Sequence, residues 1–428
     1  MNDVIDPPAD SMVSNVLENA YELEPLIEEN GYEDLLKIGL TSLAFTPPLY
    51  FTSIFGPPNQ WFPPHRADSE YTILDFWKPA QSLNYLLDIN IPAFHHIPPP
   101  LLRTLLPPFL QKTFWRPSGY FQQPDPFAST TSFINEHWFF INGVATNKAV
   151  AKINSGLLSQ LFRRPITVIH NQTDSLLLDL YQCAVGKQFK TNPRLSQRQT
   201  MTEPTFKATV AILEALKDPE REKVVVLCHS QGTIIASNVL KAIHNCFSYL
   251  QSQPEKIDSS EAPLNSLEQA ALNILLDEKK QTAEPESNNQ NPAHLIHLLK
   301  KLEFYTFANC ADTMTYVTHI PTAKGMVGLP YIENFANQFD LVARLGVLSP
   351  YQANRDSNLI HIDGPIFEKQ GQDAWGHLLN QHYLFGIQAH LDAPKHTPNP
   401  YPPQNQQQAA QPRLYGYFSG GRPAPYYR

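Results

Sequence analysis

Ser230 sits in a tight corner, Cys228-His229-Ser230-Gln231-Gly232. The corner follows the apolar, β-branched run Val224-Val225-Val226-Leu227 and precedes a stretch, 233–240, with helical character. A serine hydroxyl is a weak nucleophile near neutral pH. It becomes effective when a base takes its proton and a carboxylate orients that base. The setting suits such chemistry. A short apolar run that cannot be divided into two faces fits a strand buried on both sides of a parallel sheet. A turn of small residues from that strand into a helix throws Ser230 out at the carboxyl end of the strand. The nearby helix N-terminus stabilises a negative oxygen.

Other elements must bring a base and an acid to this serine. Trp138-Phe139-Phe140-Ile141 reads as a buried strand, followed by Asn142-Gly143-Val144. Residues 147–162 carry a helical apolar stripe, and Ile166-Thr167-Val168-Ile169-His170 is the next strand. Helices are expected over 175–186, 205–216, 264–276 and 294–302, with strands at 303–308, 331–335 and Ile366-Phe367, and a closing helix over 378–388. Strands alternating with helices predict an α/β protein with a doubly wound, mostly parallel sheet flanked by helices.

The chain has 428 residues, 42% of them hydrophobic, enough for a large core. A formal net charge of −8 argues against nucleic acid as a partner, because phosphate binding needs a basic face. The 39 prolines concentrate near the two ends. Three regions follow: a Pro- and aromatic-rich, partly helical extension over 1–132 that wraps the core, an α/β domain over 133–391 with a polar insertion at 251–293, and a flexible Pro/Gln/Tyr-rich tail over 392–428. Within the extension, 91–117 mixes proline pairs, leucines and scattered cations, which suits an arm buried on the core or, alternatively, a lipid-surface contact. Prolines inside that segment disfavour a lipid-lying helix.

The four cysteines show no C-x-x-C pair and no disulfide framework, and Cys228 reads as a packing residue. No metal is expected. The His95-His96 pair and the Asn171-Gln172-Thr173-Asp174 loop do not form a ligand set, and no nucleotide-binding glycine motif is present, so no cofactor is expected either. The acidic start and the lack of a run of ~18 uncharged apolar residues point to a cytoplasmic protein, with peripheral membrane contact through 91–117 as the variant.

The corner at Ser230 resembles the nucleophile elbow of the α/β-hydrolase superfamily in its H-S-Q-G form, and beyond it 139–143, the Asn171 loop, 331–348 and 375–384 together resemble a subgroup of bacterial and fungal α/β-hydrolase-like proteins. Cys228 departs from the pattern, standing where the superfamily has glycine. The resemblance covers about 138–391 and leaves the N-terminal extension unexplained. It implies the α/β-hydrolase fold and the chain order Ser, acid, His. The implied acid is Asp340, before Leu341-Val342, with Asp312 as the alternative. The implied base is His377, with His382 as the alternative, since His382 falls further along the expected helix. The implied oxyanion donors are the backbone N–H groups of Gln231 and Val144. An insertion such as 251–293 acts as a lid in some members of such a fold; a solvated excursion is the other option.

The function expected from these residues is a serine hydrolase that cleaves an ester or lipid-like acyl substrate through an acyl-enzyme, a lipase-like carboxylic-ester hydrolase. The alternatives are a catalytically inactive hydrolase-fold protein that binds a partner or lipid surface, and a membrane-surface protein in which 91–117 matters most.

Overall fold

The computed structural model describes residues 54–73, 82, 119–123, 135–143, 146–171, 203–252, 266–276, 292–323, 325–349, 360–371, 373–394, 397–405 and 411–427. The helices expected over 175–186 and in the N-terminal extension before residue 54, the segment 91–117, Val144 and the polar flanks of the insertion lie outside these residues.

A seven-stranded sheet is the frame. Its strands are β1 (Gly119–Gln123), β2 (Glu136–Ile141), β3 (Ile166–His170), β4 (Lys223–His229), β5 (Leu302–Phe307), β9 (Tyr331–Asn337) and β11 (Ile366–Lys369), in the spatial order β1-β3-β2-β4-β5-β9-β11. Six strands run parallel and β1 pairs antiparallel to β3. Between β5 and β9 lie β6 (Thr313–Met314) and a β7–β8 hairpin (Thr318–Thr322, Gly325–Leu329), where the sequence suggests only a long loop. β6 pairs with the short β10 (His361–Ile362).

The run Val224 to Leu227 is wholly buried, as are Trp138 to Ile141 and Phe304, Tyr305 and Phe307. Each such side chain contributes ~1.5–3 kcal/mol of burial. Burial on both faces is why these strands read as continuous apolar runs rather than alternating ones. The helices are α1 (Lys148–Phe162), α2 (Glu203–Lys217), α3 (Gln231–Ser252), α4 (Ser266–Leu276), α5 (Pro292–Lys301), α6 (Leu341–Leu345) and α7 (Phe385–Asp392). α2, α3, α4 and α5 pack on one another, whereas α1 packs on the turn before α7 and on a 3-10 helix, Arg413–Gly420. α4 is the helix described between α3 and α5, within the 251–293 insertion. Leu267 packs with Phe206 and Ala242, and Asn245 donates to Glu268, so α4 belongs to the helical layer along α3.

The closing helix differs from expectation. Leu379–Leu384 is a π-helical turn, and only Phe385–Asp392 is α-helical. The tail is the larger correction. Expected to be flexible from 392 onward, it instead packs over 397–405 and 411–427, with Tyr401, Leu414 and Tyr417 fully buried. The cause lies in the strands. Glu303 of β5 and Glu333 of β9 are buried carboxylates, and an unpaired buried charge is costly. Arg413 completes Glu303 at 3.0 Å beside Lys223 at 2.9 Å, and Tyr417 donates to it at 2.7 Å. Glu333 accepts from the backbone N–H groups of Arg413 at 2.7 Å and Leu414 at 3.1 Å. The tail also covers the sheet edge, where Phe367 of β11 bridges to Pro403.

Among the described residues, no helix is long and apolar enough to cross a membrane.

Candidate functional site

The carboxyl ends of the parallel strands converge. Gly143 follows β2, Ser230 follows β4, Asp340 follows β9, and His377 lies in the loop after β11. The chain leaves β2 toward β3 on one side and returns to β4 on the other, so β2 and β4 flank the point where strand order reverses. Crevices of open α/β sheets form at such points.

Ser230 has φ +57°, the left-handed region that non-glycine residues enter rarely and at a cost. Two glycines make this corner possible. A Cβ on Gly232 would lie 2.3 Å from the Ile141 carbonyl oxygen, so α3 reaches β2 only because that atom is missing. A Cβ on Gly143 would lie 2.3 Å from Ser230 Cβ and 2.9 Å from Ser230 Oγ. The Gly143 backbone therefore passes directly against the serine. Asn142 holds that loop: its amide donates to the Gly143 and Asn171 carbonyls at 2.9 and 2.7 Å and accepts from the Asn171 N–H at 2.9 Å. Asn171 in turn donates to Gln231 Oε1 at 2.6 Å. Gln231 opens α3, so its N–H falls in the first turn, where helices lack internal acceptors. Cys228 is fully buried, with its thiol toward the Tyr305 carbonyl at 3.7 Å. Burial raises the thiol pKa, which keeps it protonated and inert.

Asp340 is the N-cap of α6. Its Oδ1 accepts from the Val342 and Ala343 N–H groups, which leaves Oδ2 for His377 Nδ1 at 2.8 Å. Both residues are buried. Among the described residues, His377 Nε2 is buried and has no hydrogen-bond partner, Ser230 Oγ included. An imidazole with Nδ1–H held by a carboxylate has its lone pair on Nε2, where it can accept a proton. His229, adjacent to Ser230, stacks on His377 at 4.5 Å between centroids and donates from Nε2 to the His377 carbonyl at 2.8 Å. Burial, and then the neighbouring His377, hold the His229 pKa well below its ordinary value, so it is neutral.

The alternatives are placed elsewhere. Nδ1 of His382 accepts the Leu378 N–H at 2.9 Å, and its Nε2 faces the Tyr71 hydroxyl at 3.2 Å, so both ring nitrogens are occupied. The carbonyl of Asp312 accepts from the His361 N–H at 2.7 Å beside β6, whereas the histidine of the 375–379 loop is bonded to Asp340. Val144 lies outside the described residues.

Sequence reasoning missed several residues that hold this loop. Residues 54–73 run beside it: the Ile54 carbonyl accepts from the His377 N–H at 2.8 Å, and Tyr71 donates to the Phe55 carbonyl. Glu70 caps the π-helical turn by accepting from the Asn380 and Gln381 N–H groups at 2.7 and 3.0 Å. Burial pushes Glu70 up to about 7 against the pull of those two bonds. The Glu70 contacts span 310 and 311 positions of sequence, and no local pattern announces them. Tyr383 donates to Asp340 Oδ2 at 2.6 Å.

Burial, then the nearby His377, drive His382 down to about 3 from 6.5. A histidine with a depressed folded pKa adds stability that is complete above 6.5 and is lost as pH falls toward 3. From pH 6.5 to pH 5 this residue is expected to withdraw about 2 kcal/mol. Urea unfolding at the two pH values should show that difference shrinking by a similar amount in His382→Gln; an unchanged difference would contradict a buried neutral His382.

Among the described residues, no group of three or more His, Cys, Asp or Glu side chains converges as a metal site requires. No protein-family model, curated protein or solved structure matches this chain.

Proposed function

We propose that the chain is a serine hydrolase of the α/β-hydrolase type that cleaves a carboxylic ester or lipid-like acyl substrate. The observation that carries this reading is the 2.8 Å bond from His377 Nδ1 to Asp340 Oδ2, which leaves Nε2 buried and unpartnered on a loop tethered to His229, the neighbour of Ser230. A strand-to-helix turn with a strained serine, and an aspartate and histidine following it in that order, supports the same reading.

In this mechanism Ser230 Oγ attacks the acyl carbonyl while His377 Nε2 takes its proton. Asp340 holds the ring and stabilises the imidazolium without itself becoming protonated. The tetrahedral oxyanion is received by the N–H groups of Gln231 and Val144; losing one donor in such a site costs ~100-fold or more. His377 then passes the proton to the departing alcohol, leaving an acyl ester on Ser230. Water, deprotonated by His377, releases the acid and restores the serine. His229 keeps the His377 backbone in place and, being neutral, adds no positive charge against the forming imidazolium.

The test is hydrolysis of p-nitrophenyl esters of increasing chain length by purified protein and by Ser230→Ala. Turnover that falls ~10⁴-fold or more in the variant is expected. Equal turnover by both would remove the reading, and the chain-length optimum would define the acyl class.

A further inference from the structure

We infer that Tyr383 is a positioning residue of the Asp340–His377 pair, sharing Asp340 Oδ2 with the imidazole and thereby tuning how strongly His377 takes a proton. This rests on the serine-hydrolase reading for its catalytic meaning, although the pair itself is observed independently of it.

Both oxygens of Asp340 are filled. Oδ1 accepts the two α6 N–H groups, and Oδ2 accepts His377 Nδ1 at 2.8 Å and the Tyr383 hydroxyl at 2.6 Å. The phenol can donate only one proton, and the Asn337 N–H donates back to its oxygen at 3.2 Å, which fixes the direction of the bond. Tyr383 is fully buried. Its aim depends on the π-helical turn Leu379–Leu384; such turns carry an extra residue per turn and cluster at functional sites. Glu70 caps the turn from residues 54–73. On the opposite side, the tail residue Tyr401 stacks on Tyr383 at 6.1 Å between centroids and donates to Asn337 Oδ1 at 2.8 Å. Asn337 Nδ2 then donates to the Gly376 carbonyl at 3.1 Å, immediately before His377. The same cage therefore fixes the tyrosine, the aspartate and the histidine loop.

A donor on Oδ2 draws carboxylate charge away from the imidazole. Removing it concentrates that charge on the His377 side and stabilises the imidazolium, so the base becomes harder to deprotonate. The other groups facing the pair are His229 from the end of β4, stacked on His377, His382 from the π-helical turn, with Lys369 of β11 and Tyr71 beyond it, and Tyr401 from the tail. His229 and His382 are held neutral by burial, which leaves Tyr383 as the polar group acting directly on Oδ2 beside His377.

The test is Tyr383→Phe, with Tyr401→Phe as a control that loses a hydroxyl of the same cage but no donor to Asp340. The His377 imidazole is titrated by NMR, its signal assigned from its loss in His377→Gln, and kcat/KM is measured against pH. In Tyr383→Phe both the His377 titration and the acid limb of kcat/KM should move up by about 0.5–1 pH unit, with KM unchanged. Tyr401→Phe should leave the titration where it is. A lowered melting temperature with an unmoved titration, or an equal shift in the control, would overturn the inference by making Tyr383 a packing residue. Should Tyr383→Phe fail to fold, 3-fluorotyrosine at 383 keeps the shape with a stronger donor. It should move the titration down, and no movement would equally overturn the inference. Absence of Ser230-dependent turnover would remove the hydrolase reading, while the titration would still decide the role of Tyr383.

Discussion

His377→Ala should lower kcat on a p-nitrophenyl ester by about 10⁴-fold or more, while His382→Ala retains at least ~100 times the activity of that variant. The two histidines lie five positions apart, and the sequence favours His377 only by its place before the expected helix. Their surroundings separate them. His377 has one nitrogen on a carboxylate and the other unpartnered, the state a proton acceptor needs. His382 has one nitrogen on the Leu378 N–H and the other facing Tyr71, so it can accept a further proton only by giving up a bond. The loss in His382→Ala should appear chiefly in stability, about 1–3 kcal/mol for the buried Leu378 N–H left without its acceptor, while the Tyr71 hydroxyl keeps the Phe55 carbonyl. Steady-state kinetics on the two variants therefore separate them in this account. Loss of activity confined to the His382 variant would show that the base has been misassigned.

Gly232→Ala should unfold the elbow rather than merely slow it. The added Cβ would meet the Ile141 carbonyl oxygen at 2.3 Å, the Asn142 carbonyl oxygen at 2.9 Å and the Ile141 carbonyl carbon at 2.9 Å. All three are backbone atoms of β2 and its loop, and none can swing aside as a side chain would. Relief requires α3 to move off the sheet, or β2 to shift in its ladder with β4. Overpacking of ordinary cores costs ~1–3 kcal/mol; a clash with backbone alone is expected to reach or exceed the upper end. Gly386 in α7 provides the contrast, because a Cβ there meets nothing within 4 Å. Gly386→Ala should be neutral or stabilising by up to about 1 kcal/mol. Equal urea midpoints for the two variants would contradict the close approach of α3 to β2.

The elbow was legible because everything that makes it is local. A run of buried β-branched residues, small residues at a corner and a helical stretch occur within twenty positions, and Gly232 among them marks a backbone approach that tolerates no side chain. The cap at Asp340 was legible for a related reason: an aspartate before Leu341-Val342 suits a helix start, and the cap fixes one oxygen while leaving the other for His377. The sequence favoured His377 over His382 by its place before the expected helix; the partners of each ring nitrogen are visible only in the structure. The tail was misread because its composition is that of a flexible segment. A signal was nonetheless present. Glu303 and Glu333 are carboxylates inside strands that are buried along their length, and buried carboxylates require partners. Tyr401, Arg413 and Tyr417 supply hydroxyls and a guanidinium to residues 64 to 114 positions away, a distance no periodicity can bridge. The contribution of residues 54–73 to the histidine loop was hidden by the same separation, and the π-helical turn that aims Tyr383 has no distinguishing pattern of its own.

The most direct measurement is covalent labelling of the intact protein with a fluorophosphonate probe, followed by mass-spectrometric mapping of the modified residue. Such a probe reacts with a serine only when its hydroxyl is activated and the resulting oxyanion is received. The wild type should be modified at Ser230, and Ser230→Ala should remain unlabelled. Equal labelling of both proteins, or modification at a residue other than Ser230, would contradict the account.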